Sequence, residues 1–107
     1  MQFKGRWHIY EMEMWDADYF NAEVQAFIAI NTDGIGEFQF GYVQGEIDGK
    51  MVEYPNADRF EFSWLGNDEL DPASGSGWIM RDGSDAIKGE FRIHMGDDST
   101  FLARRAE

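Results

Sequence analysis

Carboxylates are the side chains most available for chemistry in this sequence: twenty-one Asp and Glu stand against nine Lys and Arg, a net charge of −12. Asp16-Ala17-Asp18, Asp68-Glu69-Leu70-Asp71 and Asp97-Asp98 could offer oxygen ligands to a hard cation such as calcium. The spacing is not that of an EF-hand, because Asp16 and Asp18 are not followed by the required glycine and distal glutamate. Asp and Asn also make turns, and solvated turn residues are the preferred reading of these clusters. No metal site is assigned.

Glu11 and Glu13 share one face of an extended strand, where paired carboxylates inside a barrel would raise each other's pKa. A bulge near residue 11 would turn them outward instead, and this is the preferred reading. His8 and His94 fall on polar strand faces, the setting of ordinary surface histidines. Gly75-Ser76-Gly77 leads into a strand rather than a helix, so it is no nucleophile elbow. Gly34-Ile35-Gly36 also precedes a strand and lacks the context of a dinucleotide fingerprint. The sequence reads as non-enzymatic, with no catalytic residue and no cofactor.

The elements that carry these residues are short strands. Phe60, Phe62 and Trp64 alternate with Arg59, Glu61 and Ser63, the period of a strand with one buried face. An acidic loop follows at residues 66–74, and the chain resumes as a strand at Gly77 to Met80. Strand patterns also run over residues 3–10, 26–31, 35–48, 87–94 and 100–105. Gly41 and Gly45 within the third of these suggest bends or close backbone approach. Residues 16–22 lack the two-residue period and suit one short helical turn capped by Asp16. The expected architecture is a single domain over residues 1–107, all-β, an antiparallel up-and-down barrel of about eight strands. A two-sheet sandwich is the alternative.

Candidate inward residues are Phe3, Trp7, Phe38, Phe40, Tyr42, Phe60, Phe62, Trp64, Trp78, Phe91 and Ile93. An eight-stranded barrel is just wide enough to fill with side chains or to hold one small ligand. In a meander the connections alternate between two ends, so residues 15–23, 66–74 and 95–98 emerge together. One end then collects Asp16, Asp18, Asp68, Glu69, Asp71, Asp97 and Asp98, with His94 nearby.

Gly5-Arg6-Trp7 on the first strand, with Arg104 or Arg105 on the last, resembles the calycin group of lipocalin-, avidin- and fatty-acid-binding-type barrels. The resemblance implies that Trp7 plugs the closed end beneath a basic side chain, taken here as Arg104. The strings Glu11 to Asn21, Gly36 to Gly41 and Phe62 to Ser74 look like an uncharacterised family of small acidic bacterial proteins. That similarity implies neither an activity nor a ligand.

No stretch approaches the ~20 apolar residues of a membrane helix, and no apolar leader is evident, so a soluble cytoplasmic protein is expected. The absence of cysteine excludes disulfides and thiolate metal sites. The negative charge disfavours nucleic acid and anionic membranes as partners. Two functions remain open. The first is a small-molecule binder whose ligand enters at the acidic open end, beside Trp15, Asp16, Asp18, Tyr19, Asp68, Glu69, Asp71 and His94. The second is a protein-interaction or homo-oligomeric module with a filled barrel. A cavity above about 300 Å3 favours the first, and an exposed apolar patch on a filled barrel favours the second.

Overall fold

Alternating side chains and tight connections build a continuous meander. The computed structural model describes residues 2–106. In chain order the elements are β1 (Gly5–Met12), α1 (Ala17–Phe20), β2 (Phe27–Ile30), β3 (Ile35–Phe40), β4 (Val43–Glu53), β5 (Asp58–Asp68), β6 (Asp71–Arg81), β7 (Ala86–Ile93) and β8 (Asp98–Arg105). Each strand pairs antiparallel with the next, and β1 pairs with β8, closing an eight-stranded barrel. Closure removes the free sheet edges that would otherwise invite another chain. Among the described residues no helix is long and apolar enough to cross a membrane.

The barrel interior is a file of aromatic rings. Phe3 lies 6.5 Å from Phe60, Phe60 lies 6.0 Å from Phe62, and Phe62 lies 6.0 Å from Phe91. Phe91 sits 4.6 Å from Phe38, 4.7 Å from Phe101 and 5.0 Å from Phe40, which in turn meets Trp15 at 5.2 Å. These are the centroid separations of favourable aromatic pairs, and burying each ring contributes roughly 1.5–3 kcal/mol. So many rings fit because several face a glycine across the ladder. Phe38 is opposite Gly45, Phe62 opposite Gly49 and Gly77, and Trp64 opposite Gly75. Large and small inward residues alternate to fill a narrow barrel.

Two expected inward residues are not inside. Trp78 points outward, because the inward position on β6 belongs to Ile79, paired with Phe60 and Gly89. Tyr42 lies exposed in the β3–β4 turn. The pattern over residues 35–48 is two strands, and Gly41 makes the turn between them at φ +59, a conformation suited to glycine. The loop expected over 66–74 shrinks to Glu69-Leu70, because β5 and β6 remain paired out to Asp68 and Asp71. Glu69 takes a positive φ of 56, and the Asn67 amide donates to its carbonyl at 2.7 Å, so the tip is held by its own polar groups. Pro72 is tolerated there because β7 reaches β6 only from Gly75 onward.

Trp7 lies on β1, near where the chain enters the barrel. Its ring is fully buried and its Nε1 donates to the Phe3 carbonyl at 3.0 Å. The stacking cation is Arg105, whose guanidinium lies 4.0 Å from the Trp7 ring centroid and donates to the Lys4 carbonyl at 3.0 Å. Arg104 instead covers Tyr10 on the outer face, at 4.0 Å. Register explains the difference, since Arg105 is the cross-strand partner of Trp7 and Arg104 that of His8.

Candidate functional site

The topology brings the connections expected at one end together, while the opposite end also carries acids, at Asp33, Asp58, Asp82 and Asp85. The connections 13–26, 41–42, 69–70 and 94–97 all emerge at the first of these ends. Asp16 caps α1, accepting from the Tyr19 N–H at 3.1 Å, while Asp18 is exposed in the same turn. Both carboxylates suit the positive end of the helical turn. Asp68 and Asp71 are cross-strand partners at the β5–β6 tip. Among the described residues no group of three or more His, Asp or Glu side chains comes together to hold a metal ion.

That end is covered rather than open. Trp15 packs on Phe40 and stacks with Tyr19 at 5.7 Å, and Phe20 is buried in the core. The Phe20 carbonyl accepts from the Gly41 N–H at 2.8 Å, and the Tyr19 ring lies so close over Gly41 that a Cβ there would meet it at 2.6 Å. Tyr19 meets Tyr42 edge-on at 6.1 Å, and Tyr42 accepts from the Glu69 N–H at 2.9 Å through its carbonyl. Burial raises the Tyr19 phenol above its ordinary pKa, and the Asp68 and Glu69 charges push it the same way. Trp15, Tyr19, Asp68 and Glu69 therefore form one cluster.

His94 opens the 94–97 connection at the same end but is exposed and lines a different groove. Its N–H donates to the Ser74 carbonyl at 2.7 Å, and it lines a shallow 550 Å3 groove with Ser63, Ser74, Ser76, Arg92 and Met95 over β5–β7.

Glu11 and Glu13 face outward, as the bulge reading expects. The ladder with β8 steps from Ile9↔Ala103 to Glu11↔Leu102, leaving Tyr10 as the extra residue. Met12 is thereby turned into the core, opposite Phe101. Both glutamates line a second outer groove of about 410 Å3, with Trp78, Lys88, Gly89, Thr100, Phe101 and Leu102. Sequence reasoning missed this groove because it drew Trp78 inward. The available signal was Ile79, the one aliphatic residue of β6 able to occupy the core beside Phe60.

The closed eight-stranded barrel with Trp7 beneath Arg105 is compatible with a calycin-like fold. No family model, curated protein or solved structure matches the chain.

Proposed function

We propose that this barrel acts without covalent chemistry as an interaction module, engaging partners through its outer surface. The observation that carries this reading is the unbroken file of rings from Phe3 to Trp15, which occupies the space a lipocalin-like ligand would need. The grooves of several hundred cubic ångströms described above lie on the wall, not within it.

The alternative, a small-molecule binder at the acidic end, draws on Trp15 and Tyr19 beside Asp68 and Glu69. It requires rings packed on Phe40 and Gly41 to move first. Native mass spectrometry of gently purified, chelator-free protein separates the two. The interaction reading expects the bare chain mass, alone or in multiples. A small-molecule adduct that persists, and is lost on Trp15→Ala, overturns it.

A further inference from the structure

We infer that the groove between Trp78 and Glu11 is the contact site of that module, and that it accepts a lysine or arginine side chain presented beside an apolar residue on an extended segment of a partner protein. The inference rests on the interaction reading above and names the partner's chemistry.

The groove crosses β6, β7, β8 and β1, three strand spacings or about 14 Å. Its character changes along that length. At one end stands the half-buried Trp78 indole, fixed from the β5 side by Arg59, whose guanidinium lies 4.2 Å from the ring centroid. Half-buried Leu102 lies in the middle, the cross-strand partner of Lys88 on one side and Glu11 on the other. At the far end are the exposed carboxylates of Glu11 and Glu13. Glu90, the partner of both Trp78 and Thr100, adds another acid alongside. Among the described residues the ion pair within 4.0 Å is Arg92–Asp98, so Lys88 does not neutralise these glutamates by direct contact.

An apolar wall at one end and, at the other, the exposed carboxylates of Glu11 and of Glu13, which accepts only a long 3.5 Å hydrogen bond from the Thr100 N–H, match a long cationic side chain. Its methylene stem lies on Leu102 and its charged head reaches Glu11 and Glu13, while a neighbouring apolar residue covers Trp78. A rigid indole in a semi-enclosed groove is the kind of anchor that carries binding energy at interfaces. Charge complementarity selects against acidic partners, since the chain carries −12 overall.

Two-dimensional NMR of the whole protein tests this, using short capped peptides that carry one leucine and one lysine at stepped separations. A matched set has norleucine in place of lysine. At least one lysine peptide is expected to shift the Trp78 indole N–H and the Glu11, Glu13 and Leu102 amides saturably. The norleucine set and the exposed, isosteric double variant Glu11→Gln/Glu13→Gln are each expected to bind about fivefold more weakly. Absence of saturable shifts at Trp78, equal binding of both sets, or indifference to the double variant overturns the groove assignment. Spermidine binding more tightly than every peptide overturns the protein source in favour of a free amine. Any of these results leaves a bare, filled barrel in native mass spectrometry intact, so the two readings fail separately.

Discussion

Arg105 stacks on Trp7 across the seam between the last strand and the first, with its guanidinium 4.0 Å from the ring centroid. Trp7→Ala is expected to cost ~3–5 kcal/mol, because a fully buried ring is removed from the barrel end. Arg105→Ala should cost on the order of 0.5–2 kcal/mol. Arg104→Ala, which uncovers only half-exposed Tyr10, should cost less than Arg105→Ala. Urea melts of the three variants check this order, and Arg104→Ala costing more than Arg105→Ala would contradict the register.

The bulge at Tyr10 makes an opposite pair of expectations for adjacent residues. Met12→Ala should destabilise by ~2–5 kcal/mol as a core truncation. Glu11→Ala and Glu13→Ala should stay within about 0.5 kcal/mol of the parent. Without the bulge Met12 would face outward, and its truncation would cost as little as that of the glutamates. Chemical denaturation of the three single variants distinguishes the phases.

At alkaline pH the Tyr19 phenol should ionise later than an ordinary tyrosine, first because it is partly buried and second because of Asp68. The folded state then holds its proton after the unfolded chain has lost it. Its contribution to stability is full below pH ~10 and is lost as pH rises through the raised folded value. Tyr19→Phe should flatten that alkaline decline, and Asp68→Asn should reduce it in part. Melting temperature against pH, followed beside tyrosinate absorbance, is the measurement. An unchanged slope in Tyr19→Phe would refute the assignment.

Gly41 combines a positive φ with the Tyr19 ring directly above it. Gly41→Val should cost about 1–3 kcal/mol in backbone strain and additionally displace Tyr19. The covered acidic end then predicts raised binding of a hydrophobic dye by this variant, where Phe40 and Trp15 lose their cover. Unchanged dye fluorescence would show that the 13–26 segment does not shield the core.

Much of the barrel was legible because its period is carried by large residues. Phe60, Phe62 and Trp64 mark the inward face of β5 without ambiguity, and Asp16 marks the start of α1. On β6 the inward face is largely Ala73, Gly75 and Gly77, which give no apolar signal, so Trp78 looked like the core residue. The choice between Arg104 and Arg105 depends on register between strands at opposite ends of the chain, which local patterning does not encode. The grouping of acids at one end followed from topology alone. Their failure to converge depends on the pairing of Asp68 with Asp71, which makes a narrow tip out of what reads as a loop.

Among the described residues the β1–β8 pairing is the one ladder that joins strands distant in sequence, whereas every other ladder joins consecutive strands. Consecutive strands pair at little entropic cost, so the seam is the step that waits for the rest of the meander. Glu11 and Leu102 face each other across that seam. The groove they share with Trp78 therefore does not exist on any partly folded chain. A partner that reads it recognises completion of the barrel itself, and by mass action holds the seam shut.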